Sequence, residues 1–138
     1  MPHLRLLAAL LAIASGTAFA APPVYLTLDN SSAQLMDAAT AAAMWKQNLP
    51  AKMFKLYPEK KWGFVSEVEG GFDDARVCVV TARAMMLPRS GKALLYHPAK
   101  TATAFGTQAN ASAEQCRALA RAKLGDAMVA VSTSLVGR

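Results

Sequence analysis

Hydrophobic positions in this chain follow the helical period in three stretches. In the first, Ser32–Asn48, apolar residues recur every three or four positions, which predicts a helix with one buried side. Ser31 and Gln34 match a capping box, so we expect this helix to begin beside them. A second, shorter helix is predicted at Ala51–Tyr57, directly after a proline.

The third helical stretch is predicted at Ser112–Gly125. Ser112 and Gln115 form another capping-box pattern, and Gly125 is a plausible residue to end the helix. Cys116 lies on the apolar stripe of this helix, so its side chain is expected to point into the protein.

The alternating period of strands occupies much of the remaining sequence. The richest stretch of β-branched and apolar residues is Ala75–Leu87, which we predict to be the central strand of a sheet. Gly70 and Gly71 precede it and are expected to form a hairpin turn. The predicted strands in chain order are Val24–Leu28, Trp62–Glu69, Ala75–Leu87, Lys92–Phe105 and Asp126–Val136.

Tight turns between successive strands favour antiparallel pairing. We therefore expect an α+β fold with two layers, in which an antiparallel sheet of three to four strands packs against two main helices. A short extra strand near the N terminus can extend the sheet. Residues 21–138 are expected to form this fold as a single domain.

The first 20 residues have the pattern of a secretory signal peptide. A basic start carrying Arg5 is followed by an apolar run at 6–13 and by a small-x-small site ending at Ala20. No twin-arginine pair precedes the run, so we expect cleavage after Ala20 by the general secretory (Sec) route. No later stretch reaches the ~18 apolar residues of a membrane helix. The prediction is a periplasmic or secreted bacterial protein without a transmembrane anchor.

Two cysteines, Cys78 and Cys116, follow the predicted leader. Because exported proteins fold in an oxidising compartment, we expect these two residues to form a disulfide. By chain-entropy reasoning, a cross-link over this separation stabilises the fold by about 4 kcal/mol.

This disulfide would orient the central strand. If Cys78 points toward the helices, the alternate residues of the strand point the other way. We expect the N-terminal helix to cover that second side; the alternative is a partner surface, which could also join two copies in a homodimer. The candidate partner face consists of Val77, Val79, Arg83, Met85 and Leu87.

Basic and aromatic residues alternate after the first helix, in a second candidate binding patch. The patch consists of Lys52, Lys55, Tyr57, Lys60, Lys61 and Trp62. Such a mixture suits anionic envelope polymers or lipids, although the same lysines are also typical of the solvated side of a helix. The net charge of +6 favours anionic partners only weakly, and we expect no nucleic-acid partner for an exported chain.

Candidate catalytic groups are sparse. Glu67 and Glu69 lie on one strand face, Asp73 and Asp74 follow across the predicted turn, and His97 is the one histidine after the leader. Paired carboxylates can perform acid–base chemistry when their environments differ, but acids beside a hairpin are ordinarily just solvated. No metal-ligand spacing is present. We therefore expect no catalytic residue, metal or cofactor.

Together these features predict a non-enzymatic binding module of the periplasm, of the inhibitor, immunity or scaffold kind. Its partner is expected to be a protein or a component of the cell envelope. Two alternatives stay open: a small secreted hydrolase that uses the surface carboxylates, and a binder of anionic polymers or lipids that uses the basic-aromatic patch.

Overall fold

The computed structural model describes residues 21–137. Its elements are β1 (Leu26–Asp29), α1 (Ala38–Asn48), α2 (Ala51–Leu56), β2 (Trp62–Phe72), β3 (Val77–Ser90), β4 (Ala93–Leu94), β5 (Lys100–Ala109) and α3 (Ala113–Val136). The predicted signal peptide and its cleavage site lie outside the described residues.

The strands form one mixed sheet in which β2, β3 and β5 pair antiparallel. β1 pairs parallel with β2, and the two residues of β4 pair with the end of β3. A parallel pair needs a crossover connection, which α1 and α2 supply between β1 and β2. The predicted α+β fold is confirmed, and the N-terminal strand makes the sheet mixed instead of purely antiparallel.

The core fills the space between the helices and one face of the sheet. Trp45 of α1 packs on Phe64 of β2 with 4.7 Å between ring centroids, and Phe54 of α2 stacks on Tyr25 at 4.5 Å. The predicted disulfide is confirmed: Cys78 of β3 is bonded to Cys116 of α3 across a Cα–Cα distance of 5.6 Å. The alternate residues of β3 from Cys78 to Met86 are all buried in this core.

The start of α1 differs from the prediction. The N-cap residue is Asp37, whose Oδ1 accepts a hydrogen bond from the backbone N–H of Thr40 at 2.8 Å. Ser31 has another role, because its Oγ accepts the N–H of Val68 in β2 at 2.9 Å and donates to Asp29 at 2.7 Å. Ser31 therefore does not cap α1; its hydroxyl anchors the preceding loop to the sheet.

The β2–β3 hairpin also turns later than predicted. Gly70 and Gly71 lie within β2, and the turn occupies residues 73–76. Asp73 closes it, since its Oδ1 accepts the N–H of Val77 at 2.8 Å, while Arg76 takes the positive φ of 59° that the turn requires.

The fourth predicted strand, Lys92–Phe105, is divided into β4 and β5. Pro98 lies in the loop between them, where its missing N–H disturbs no strand pairing. Beyond this loop β5 continues to Ala109, four residues past the predicted end at Phe105.

The final predicted strand, Asp126–Val136, was wrong, because α3 continues through it. The capping box of Ser112 and Gln115 is present, but Gly125 lies inside the helix. The buried residues after Gly125 include Ala127, Met128 and Val131. They recur at helical spacing, so packing on the sheet outweighs the β-propensity of this stretch.

Candidate interaction surface: the open face of the sheet

The face of the sheet that points away from the core is not covered by any helix within residues 21–137. Its side chains are half-buried or exposed over most of β3 and β5. We call this surface the open face and define it by Leu28, Val65, Glu67, Val79, Thr81, Arg83, Met85, Thr101, Thr103, Phe105 and Thr107. The expectation that the N-terminal helix covers it was wrong, because α1 belongs to the β1–β2 crossover and packs in the same layer as α3.

Strand register arranges these side chains in rows across the sheet. One row runs from Leu28 through Val65 and Met85 to Thr101. Apolar groups in this face remain accessible, since Leu28 is 47% exposed and Phe105 is 62% exposed. The two residues lie on opposite edge strands, in rows separated by that of Glu67, Arg83 and Thr103. The face therefore combines separate accessible apolar side chains with polar ones, a composition that is usual for non-obligate protein interfaces.

Arg83 lies near the middle of the open face and is paired with Glu67 on the neighbouring strand. The two residues are direct cross-strand partners, and Arg83 Nη1 lies 3.2 Å from Glu67 Oε2. Both side chains are partly exposed, so the ion pair contributes at most about 1 kcal/mol to the fold. The pair gives the middle of the face one positive and one negative group, and the exposed Glu69 adds a second acid in the next row.

One end of the face is closed by the segment between β3 and β5. A Cβ on Gly63 would lie only 2.5 Å from Leu94 Cδ2, so Leu94 of β4 packs directly on the backbone of β2. Leu87, the strand partner of Gly63, is buried at this end. Of the predicted partner-face residues, Leu87 is thus inside the fold, whereas Val77, Val79, Arg83 and Met85 retain accessible surface.

The edge strand β5 extends the open face to a free boundary. Within the described residues β5 pairs with β3 on one side only. It is ten residues long, contains no proline, and carries a single charged residue, Lys100. Long edge strands are normally protected by charge, proline or a bulge, so this edge retains backbone groups that can pair with another strand.

The exposed residues of β5 were not among the predicted site residues. Thr101, Thr103, Phe105 and Thr107 alternate with small residues that face α3. This two-residue period was the available signal. It was obscured because the sequence prediction began the strand at Lys92 and counted residues of the preceding loop as part of it.

The basic-aromatic patch is divided between structural contacts and free surface. Lys52 Nζ donates to the carbonyl of Val136 at 3.0 Å, and the Tyr57 hydroxyl donates to that of Leu135 at 3.3 Å, so both bind the C-terminal end of α3. Tyr57 also packs edge-on against Trp62, with 6.0 Å between ring centroids. The remaining members, Lys55, Lys60 and Lys61, are exposed and form no salt bridge with another described residue.

Two of the four candidate catalytic acids are held in separate structural contacts, whereas Glu69 and Asp74 are exposed. Glu67 is paired with Arg83 on the open face, and Asp73 closes the β2–β3 turn. His97 is exposed in the β4–β5 loop, where its backbone N–H donates to Leu95 at 2.8 Å. In the part of the chain that the structure describes, no group of three or more His, Cys, Asp or Glu side chains is placed to hold a metal ion.

Comparisons with known proteins give only distant similarity. No family model and no curated protein matches the chain. Among solved structures it is similar to a point variant of the PelC dodecamer from Paraburkholderia phytofirmans, with 12% identity over 87% of this chain and 96% of that one and a TM-score of 0.44. A second PelC dodecamer structure from that organism gives 14% identity over 84% and 88%, with a TM-score of 0.42. Similarity this low transfers no activity or assembly to this chain.

No helix within residues 21–137 has both the length and the apolar character needed to cross a membrane. The Cys78–Cys116 disulfide is consistent with an extracytoplasmic location, because such bonds persist in oxidising compartments.

Proposed function

We propose that this chain is a non-enzymatic interaction module of the bacterial cell envelope, which binds proteins through its open face. A second copy of the chain is among the partners that this face can accept. The observation that carries the proposal is the placement of the helices in one layer, which leaves a face with exposed Leu28 and Phe105 uncovered. The leader-like N terminus and the disulfide support export to the periplasm or the medium.

The charges of the open face favour a partner with the same surface. Arg83 and Glu67 place opposite charges side by side, so two open faces packed on each other about a twofold axis can exchange this ion pair. Glu69 is a further exposed acid on this face and gains no partner from the exchange.

The free edge of β5 supports a different arrangement of two copies, side by side instead of face to face. Two β5 strands can pair antiparallel about a twofold axis normal to the sheet, with Phe105 of both copies on one side. The two open faces would then be continuous.

The partner can be tested in cells with a photo-crosslinking amino acid. We would replace Phe105 by p-benzoyl-phenylalanine and express the full chain, with the same replacement at Val129 of α3 as the control. Val129 is also an exposed apolar residue, at 52%, but it lies in the helical layer. The proposal predicts a crosslinked product from position 105, identified by mass spectrometry as the homodimer or as one defined partner protein. Equal products from both positions, or none from position 105, would contradict it.

A further inference from the structure

A second surface, distinct from the open face, has the features of a small-ligand site. It is a groove of about 510 Å³ between the segment that precedes β1 and the outer side of α1. This volume lies within the range of roughly 300–1,000 Å³ that is usual for ligand pockets. We call it the α1 groove and define it by Pro22, Val24, Ala42, Ala43, Trp45, Lys46 and Leu49.

The lining of the α1 groove is predominantly apolar. Pro22 and Val24 form one wall, and Ala42, Ala43 and Leu49 belong to the other. Tyr25 and Phe54 also line it and are stacked on each other. From Ala42 to Leu49 the α1 wall runs for seven helical steps, or roughly 10 Å.

One residue of this lining, Trp45, carries a polar atom without a partner. Trp45 is 1% exposed, and its indole Nε1 is buried without a hydrogen-bond acceptor among the described residues. A buried donor left unpaired costs about 1–3 kcal/mol. A bound water would need about two to four polar partners. The other polar side chains of the lining are Tyr25, Thr27 and Lys46, and the Tyr25 hydroxyl already donates to the carbonyl of Tyr57.

A cation, Lys46, follows Trp45 in the chain and also lines the groove. Lys46 is exposed and forms no salt bridge with another described residue. We propose that the α1 groove binds a linear acyl chain that ends in a carboxylate. The chain lies along Ala42, Ala43 and Leu49, one carboxylate oxygen accepts the Trp45 N–H, and the charge is balanced by Lys46.

Dodecanoate is a suitable probe, used below its micelle concentration with the purified protein. Titration calorimetry should detect binding to the unmodified chain. Ala43→Phe fills the groove from an exposed helix position and should weaken binding more than tenfold. Gln47→Phe places the same side chain on an exposed neighbouring residue outside the lining and should leave binding unchanged. Equal affinity in both variants, or no binding to the unmodified chain, would overturn the proposal.

The charged end of the ligand is tested separately. Lys46→Gln should weaken dodecanoate about two- to fivefold, as expected for an exposed ion pair, and should not change the affinity for the neutral analogue dodecanol. If both ligands lose affinity equally, Lys46 does not bind the carboxylate and the proposed ligand class is wrong.

The indole N–H gives a direct readout that needs no substitution in the core. In a ¹⁵N-labelled sample the Trp45 indole resonance, distinguished from that of Trp62 by Trp62→Phe, should move downfield with dodecanoate while the Trp62 resonance stays in place. Phe105→Glu on the open face should leave this response unchanged. The ligand site is therefore tested separately from the proposed protein-binding function. An unmoved Trp45 resonance at saturating dodecanoate would overturn the assignment.

Discussion

Tyr25 connects the N-terminal segment to the layer of helices through both its aromatic ring and its hydroxyl group. Its ring stacks on Phe54 and meets Phe64 edge-on at 4.9 Å, while its hydroxyl donates to the carbonyl of Tyr57. Burial, with a smaller contribution from the negative charge of Glu59, raises the pKa of this hydroxyl to about 12. The neutral donor is therefore the form that the fold requires.

The raised pKa of Tyr25 predicts a specific loss of stability in alkali. In the unfolded chain a tyrosine ionises near pH 10, so the unfolded state loses its proton first. The stabilising contribution is complete below about pH 10 and is lost as the pH rises toward 12. Tyr25→Phe should flatten the fall in unfolding free energy between these values, measured by urea unfolding at a series of pH values. An identical slope in both proteins would show that Tyr25 does not titrate with folding.

Gly70 is required at its position by both conformation and space. Its φ of +131° is one that other residues rarely adopt, and a Cβ would overlap the carbonyl oxygen of Val79. Gly71 has a similar φ of +144° with nothing close to its added Cβ, which makes it a matched control.

We expect Gly71→Ala to cost about 1–3 kcal/mol of unfolding free energy through backbone strain alone, and Gly70→Ala to cost clearly more because of the added overlap. Denaturant unfolding of the two variants measures this difference. Equal losses would mean that the β2–β3 backbone moves apart to admit the methyl group.

At the residue scale, the sequence allowed prediction of the disulfide partners and of the capping pair Ser112 and Gln115. It did not reveal the role of Ser31, because a serine before a helical pattern fits a cap and an anchor equally well. Which of the two forms depends on the distance to Val68, a contact across the sheet that no local pattern encodes.

The disulfide joins the longest strand to the longest helix. It connects Cys78 near the start of β3 to Cys116 in the first turn of α3, with 38 positions between them. The bond therefore closes the loop that contains β4, β5 and the entry to α3.

Replacing both cysteines by alanine should lower the unfolding free energy by up to about 4 kcal/mol, because the unfolded chain regains the freedom of that loop. Chemical unfolding followed by circular dichroism, with and without a reductant, measures the effect. The reductant should destabilise the natural chain and leave the Cys78→Ala, Cys116→Ala variant unchanged. A loss below about 1 kcal/mol would mean that packing of α3 alone determines its position.

Helices and strands were predictable where residue propensity and hydrophobic period agreed. In α3 the two signals conflict. Its second half contains several β-branched residues, which favour a strand, while its buried positions follow a helical period. The helix forms because Leu124, Met128 and Val131 reach the same core as Cys116, and that shared core is visible only in the folded chain.

For the whole molecule, the order of strands determines which surface is free. The α1–α2 crossover and α3 occupy one layer, so the opposite side of β3 is left without a cover. The sequence predicted which residues lie on each side of the central strand, but not which side the helices leave uncovered. The parallel pairing of β1 depends on a long-range contact with β2, and this pairing decides where α1 lies.

The open face and the α1 groove are proposed to have separate functions. We propose the first as a protein-binding surface centred on Arg83 and Phe105, and the second as a small-ligand site around Trp45. Both are compatible with an exported module that links envelope components, and each has variants that leave the other surface intact.

Sedimentation velocity of the purified protein over a range of concentrations tests the central claim most directly. With a second copy of the chain as the partner of the open face, we predict concentration-dependent self-association of the natural chain. Phe105→Glu should abolish that association, because it introduces a charge into the face, whereas Val129→Glu in the helical layer should preserve it. A natural chain that stays monomeric at every concentration, or a Phe105→Glu variant that associates as strongly as the natural chain, would contradict self-association through this surface.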